Sequence, residues 1–375
     1  MPTINYREPG TGIMRQIVSG TNDHGQLNGL TDNDHPQYAL RADALGRNKA
    51  MNGSFRVNQR GGTSSSASNV FIFDRWRQEY GGGTMSYSSV AANPGELPES
   101  ARTFARLAVS GQSAVTDYGV FVHVIEDVRT LSGKTVTVSF WAKAASGTPK
   151  VAVELAQDFA QISGGSTWNT GNTGQITLST TWARYSVTLT LPSLAGKTIG
   201  TGGTDCLILF MWVSAGSNWS ARTGSFAVQN NTFDFWGVQV EEGALATAFE
   251  HKAYDQELVS CQRYFYRIQG TADVAFNGWA AIGSGQFQTA TSARCHVDLP
   301  APMRKQPILS VGGTCVANTN NTPFTWSTIS SVFWSPNTPG KIFFDVPVAG
   351  AQAGWGASFY TERNSTNYLD FNAEY

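Results

Sequence analysis

The chain has 375 residues, of which 41% are hydrophobic and only 14% charged, and its 26 basic residues face 27 acidic ones. That length accommodates two globular domains and an extension, while the charged fraction lies well under the roughly 25% usual for soluble domains. The balance excludes an electrostatic nucleic-acid footprint. The longest purely apolar stretch, Leu207 to Val213, is too short for membrane insertion.

Residues 1–47 read as an extended arm. Met1 to Gly20 carries Arg7, Glu8 and Arg15 without an apolar core, which is not the pattern of a secretory signal. Pro9-Gly10-Thr11-Gly12 is turn chemistry, and Ile13 to Val18 reads as a short strand. The segment Asp23-His24-Gly25-Gln26-Leu27-Asn28-Gly29-Leu30 follows, then Thr31-Asp32-Asn33-Asp34-His35-Pro36-Gln37-Tyr38. Its sizeable apolar groups are Leu27, Leu30, Tyr38 and the adjoining Leu40. So few anchors cannot offset the entropy of ordering the segment alone, and other copies of the same chain are the economical cover.

Residues 48–252 read as a β-sandwich. Thr135 to Lys143 alternates, with Val136, Val138, Phe140 and Ala142 on one face, and Arg184 to Leu191 places Tyr185, Val187, Leu189 and Leu191 inward. Val151 to Leu155 also alternates. Leu207 to Val213 is apolar on both faces, as in a central strand covered on both sides. Glycine pairs separate these runs, which is the sequence pattern of a two-sheet sandwich.

Residues 253–375 begin with an expected helix. Asp255 is its N-cap candidate, and Tyr254, Leu258, Cys261, Phe265 and Ile268 make one apolar stripe. A second, smaller β-sandwich follows, closing with Tyr368 to Tyr375. The four cysteines (Cys206, Cys261, Cys295, Cys315) have no CxxC spacing and read as buried free thiols. The fold class is therefore all-β, with one short helix.

No catalytic residue and no metal-ligating set emerges. Gly133-Lys134-Thr135 and Gly196-Lys197-Thr198 lack the upstream glycine of a phosphate loop, since those places hold Val128 and Leu191. The five histidines are scattered, with neither a GxSxG elbow nor metal-ligand spacing. Glu126-Asp127, and Glu154 with Asp158, are the carboxylate pairs a glycosidase would need, at a frequency that chance supplies. His24 and His35 read as backbone partners in a tight polar stem.

The spelling from Asp23 to Tyr38 resembles an element of bacteriophage tail fibres and virion spikes, where it lies in the intertwined stem of a homotrimer. Further segments look like the carbohydrate-binding, jelly-roll modules of such proteins: Phe73-Asp74-Arg75-Trp76, Ser132 to Ala144, Trp182 to Val187, Gly237 to Gly243, Ala248-Phe249-Glu250-His251 and Cys261 to Phe265. The resemblance implies a trimer stem built on His24, Leu27, Leu30, His35 and Tyr38. It implies self-association, a tail or capsid protein as attachment partner, and host-surface polysaccharide as ligand. It also implies virion-surface display of a protein made in the host cytoplasm, on either tail or head. A purely structural decoration protein is the alternative, and a depolymerase a more distant one. Such modules often hold a structural calcium, for which Asp234 would be a ligand here; no other cofactor is implied. Sugar recognition needs exposed aromatic faces among neutral hydrogen-bonding groups. Trp168, Trp219 and Trp355 sit in such surroundings, whereas Trp76, Trp141 and Trp236 lie in strand patterns and read as packing residues.

Overall fold

A computed structural model describes residues 4–7, 14–17, 46–97, 99, 101–160, 168–270, 280–319, 326–329, 333–334, 341–348, 352–361 and 366–374. The chain divides into two compact units, Met1–Ala44 and Leu45–Tyr375. In the first, β1 (Ile4–Arg7) and β2 (Met14–Ile17) form an antiparallel hairpin. The stem residues His24, Leu27, Leu30, His35 and Tyr38 lie outside the described residues.

The second unit opens with the short strands β3 (Ser64–Ser65) and β4 (Val70–Phe71). The longer β5 (Trp76–Gly81), β6 (Thr84–Ala91), β7 (Thr103–Ser110) and β8 (Tyr118–Glu126) follow. Next come β9 (Thr135–Ala144), β10 (Lys150–Asp158), β11 (Trp168–Asn169), β12 (Thr173–Thr177) and β13 (Ala183–Thr190). β14 (Cys206–Ala215), the single-turn α1 (Ser220–Thr223) and β15 (Thr232–Glu242) complete the sandwich. One sheet runs β11-β10-β14-β8-β5-β4 with β12 also on β10, and the other runs β13-β9-β15-β7-β6-β3. All described pairings are antiparallel, and the two sheets enclose one core in a jelly-roll arrangement.

The period-2 pattern explains the register. Val136, Val138, Phe140 and Ala142 of β9 are fully buried, and β13 lies alongside with Val187 opposite Val138. β14 lies between β10 and β8 and is buried along its whole length, as a strand covered on both faces should be. β15 shifts register between Trp236 and Gln239, where Gly237 takes φ 63° against the edge of Trp141. A side chain there would be strained and crowded, so the bulge needs glycine.

His123 faces the core from β8. Its ring lies 4.5 Å from that of Trp76, Nε2 accepts the Met51 N–H at 3.2 Å, and Nδ1 stands 3.1 Å from the Arg75 carbonyl. A carbonyl can only accept, so Nδ1 carries the proton and the imidazole is neutral. Burial, then the Arg75 charge, holds its pKa well below 6.5. The unfolded chain therefore binds a proton that the folded chain refuses, and stability is lost as pH falls through 6.5. The limiting slope is about 1.4 kcal/mol per pH unit. The urea midpoint should fall more steeply from pH 7 to pH 5.5 in the native protein than in His123→Gln; parallel curves would refute this.

After the sandwich, α2 covers Tyr254–Gln262 and β16 covers Phe265–Gln269. The expected apolar stripe is thus cut at residue 262. Phe265 and Ile268 belong to a strand, because β16 finds a partner in β25 (Tyr368–Asn372), which a local periodicity cannot reveal. Asp255 lies within the first turn, the N-cap being Ala253, and Tyr254 is exposed. The remaining strands are β17 (Ala280–Thr289), β18 (Ser292–Asp298), β19 (Ile308–Gly312), β20 (Cys315–Thr319) and β21 (Trp326–Ile329). β22 (Phe333–Trp334), β23 (Lys341–Pro347) and β24 (Gly356–Thr361) precede β25. They build a β16-β25-β19 sheet and a β21-β20-β24-β17-β18-β23-β22 sheet around a second core. All four cysteines are buried thiols.

The two sandwiches share an ionic seam, buried at Arg75, Asp74 and Glu374. Arg75 pairs with Glu374, donates to the Val124 carbonyl at 2.5 Å and lies over the Tyr264 ring at 3.5 Å. Arg60 bridges Asp74 at 3.3 Å and Glu374 at 3.6 Å, with its guanidinium 3.6 Å from the Phe265 ring centroid. Glu126 accepts from Arg263 at 2.5 and 2.9 Å and from the Tyr264 hydroxyl at 2.6 Å.

Candidate functional site

The alternation that sends Leu207, Leu209, Met211 and Val213 into the main core sends Ile208, Phe210 and Trp212 to the opposite face of the sheet. There they meet Val120, Val122, Ala152 and Phe226 in a second apolar cluster. Trp168 of β11 lies 6.5 Å from Phe210, and Phe210 lies 5.9 Å from Trp212. Trp212 is 5.4 Å from Trp219, which is 4.7 Å from Tyr118. Trp168, Phe210, Trp212, Trp219 and Tyr118 therefore form a continuous aromatic band across one face of the sandwich.

The ends of the band are accessible and its middle is covered. Trp168 is 38% exposed and Tyr118 and Trp219 are half-buried, while Trp212 is 1% exposed. The cover is Arg222, whose guanidinium lies 4.6 Å from the Phe210 centroid and 4.9 Å from that of Trp212. Fully buried Glu154 of β10 holds it, pairing with Arg222 at 2.9 Å while accepting the Trp212 indole N–H at 3.0 Å and the Gly171 N–H at 3.0 Å. A buried carboxylate is tolerable only with such a complete set of partners.

The turn that carries Arg222 is tied down at several points. Trp219 donates from Nε1 to the Thr116 carbonyl at 3.0 Å, and Gln175 of β12 donates to the Thr223 and Gly224 carbonyls at 2.8 and 2.6 Å. Gly224 closes α1 at φ 69°. Asp117, next to Tyr118, accepts the Ser113 and Ala114 N–H groups at 2.8 and 2.9 Å. Those bonds, the Ala114 one foremost, lower its pKa.

Of the tryptophans expected at a sugar site, the fold brings Trp168 and Trp219 onto this band. Trp355 belongs to the other sandwich, half-buried against its core. Trp76 and Trp236 are buried packing residues, and Trp141 packs partly buried on the core. Tyr118, Phe210, Trp212 and Arg222 were not legible as site residues, and Glu154 stood out only as half of a carboxylate pair. The available signal was the run of large side chains at alternate positions 208, 210 and 212, which a two-sided apolar strand conceals.

Asp234 does not fit a calcium ligand. Arg106 grips both its carboxylate oxygens at 2.7 and 2.9 Å and Lys143 stands 3.7 Å away, so the site already carries its positive charge. Among the described residues no group of three or more His, Cys, Asp or Glu side chains gathers for a metal. Glu126 and Glu154, from the carboxylate pairs noted above, are each committed to arginine. A concavity of about 480 Å³ lies elsewhere on the sandwich, lined by Glu96, Lys143 and Trp182. Its Trp182 is packed edge-on to Phe104 with the Lys143 ammonium 5.1 Å from its ring. Among the described residues no helix is long and apolar enough to cross a membrane.

Residues 86–200 match the family model of a carbohydrate binding domain. Comparison with curated proteins found no match. Among solved structures, the enzymatically active domain of bacteriophage CBA120 tailspike protein 4 is similar at 15% identity and TM-score 0.32, over 52% of this chain. The chain spans only 21% of that tailspike chain. A structure described as CBM4 structure and function is similar at 19% identity and TM-score 0.27, over 51% of this chain and 98% of that one. The family 11 carbohydrate-binding module from Clostridium thermocellum, in complex with a β-1,3-1,4-mixed-linked tetrasaccharide, is similar at 12% identity and TM-score 0.31. That match covers 50% of this chain and 98% of the module.

Proposed function

We propose that this protein is a non-catalytic polysaccharide-binding protein that uses the aromatic band of its jelly roll to hold a host-surface glycan. The observation that carries the reading is the band itself, with exposed or half-exposed rings at both ends, on a sandwich whose residues 86–200 match a carbohydrate binding domain. Flat aromatic faces stack on the apolar faces of sugar rings, and the surrounding serine, threonine and asparagine groups exchange hydrogen bonds with hydroxyls. The reading extends to a homotrimeric phage fibre or spike that meets a tail or capsid protein through its N-terminal arm. That extension is supported by the spelling of residues 23–38, and a head fibre would use the same parts.

Three experiments separate these claims. Trp168→Ala should weaken binding to a recognised capsular or lipopolysaccharide about tenfold, the scale of a tryptophan anchor, measured by calorimetry; unchanged affinity would sink the band as the site. Release of reducing ends from that polysaccharide would refute the non-catalytic reading. Deleting residues 1–47 should convert a trimer to a monomer by light scattering, and a full-length monomer would defeat the stem.

A further inference from the structure

A pocket of about 350 Å³ opens beside the Trp219 end of the band. Ser217 and Ser220 line it and flank Trp219 in the chain, so the pocket and the ring share one turn. Phe226 lines the same pocket and belongs to the buried cluster of Phe210 and Trp212. Val115, 57% exposed, and Val228 add aliphatic surface. Among the described residues no ionisable side chain lines this pocket. The nearby Asp117 carboxylate is engaged by the N–H groups of Ser113 and Ala114.

A pocket of this kind is built for a small neutral substituent with one apolar and one hydrogen-bonding end. It offers no cation to a uronate, phosphate or sulfate and no anion to an amino sugar, and burying such charges unpaired would be costly. It is large enough for a group carried on a sugar ring stacked at Trp219. We propose that it receives the acetyl group of an N- or O-acetylated sugar. The methyl lies against Val115, Val228 and Phe226, and the acetyl carbonyl accepts a hydrogen bond from the Ser217 hydroxyl. The inference rests on the polysaccharide reading above and names the ligand class of that same band.

The test is an array of bacterial capsular polysaccharides and lipopolysaccharides, each presented native, after mild alkali that removes O-acetyl groups, and after hydrazinolysis that also removes N-acetyl groups. Binding to the recognised glycan should fall about tenfold on removal of the group that fills an apolar pocket. A fall after mild alkali assigns an O-acetyl, and a fall only after hydrazinolysis assigns an N-acetyl. Ala227→Leu, which adds bulk at an exposed position on the pocket wall, should diminish that preference, whereas Trp168→Ala should weaken native and deacetylated glycans alike. Equal binding to all three forms, or a preference that Ala227→Leu leaves undiminished, overturns the acetyl pocket and leaves polysaccharide binding standing. No binding to any native glycan overturns both.

Discussion

Glu374→Ala should lower the protein's stability by about 3 kcal/mol, because it takes a carboxylate from a buried arginine rather than deleting a surface contact. Arg75 is 2% exposed, and Glu374 is its carboxylate partner across the seam between the sandwiches. Arg60 loses the same partner while keeping Asp74. Exposed ion pairs contribute little by comparison, so Lys134→Ala, at a 55% exposed side chain 3.4 Å from Glu242, serves as the control, expected to change stability by less than about 1 kcal/mol. The urea midpoint reads the difference. In Glu374→Ala the C-terminal sandwich should also become sensitive to limited proteolysis before the jelly roll, since the seam contributes to how the two are held. Equal effects from the two substitutions would show that the seam is not an energetic unit.

The second large effect is expected at Glu154. Replacing it with alanine leaves the Trp212 indole N–H and the Gly171 N–H without their acceptor and Arg222 without its carboxylate. A loss of about 3 kcal/mol is expected from such a buried network. The functional consequence follows from the cover that Arg222 forms over Phe210 and Trp212. Once released, that guanidinium no longer fixes the middle of the band, and affinity for polysaccharide should fall along with stability. A double-mutant cycle with Arg222→Leu should return a coupling of about 2 kcal/mol, within the range for residues in one network. A coupling near zero would mean that Arg222 is held by something other than Glu154.

Particular residues mark where sequence reading succeeded. Val136, Val138 and Phe140 alternate with Thr137, Ser139 and Trp141, and a strand has only two faces, so the inward set was fixed without knowledge of its neighbours. Trp168 and Trp219 stood out for their polar, glycine-rich settings; the fold places both rings on the aromatic band, and their part in sugar binding is the proposal made above. The helix from Tyr254 shows the opposite case. The expected stripe ran on through Phe265 and Ile268 at helical spacing, yet those residues lie in a strand and pair with Asn372 and Leu369 more than a hundred positions later. Strand pairing at that distance overrides a weak local preference.

The amino-acid order alone therefore determined that the chain is all-β and where its principal inward faces lie. Those properties are local, set by the period of the backbone and the chemistry of adjacent side chains. Only the tertiary structure decided that Glu154 would meet Arg222, that Arg75 would meet Glu374, and that Tyr118, Phe210 and Trp212 would join the two tryptophans in one line. Each of these depends on sheet register and on loop closure across distant positions. The physical reason is that a buried charge or an aromatic face gains its value from what the fold sets against it, and neighbours in space are not neighbours in sequence.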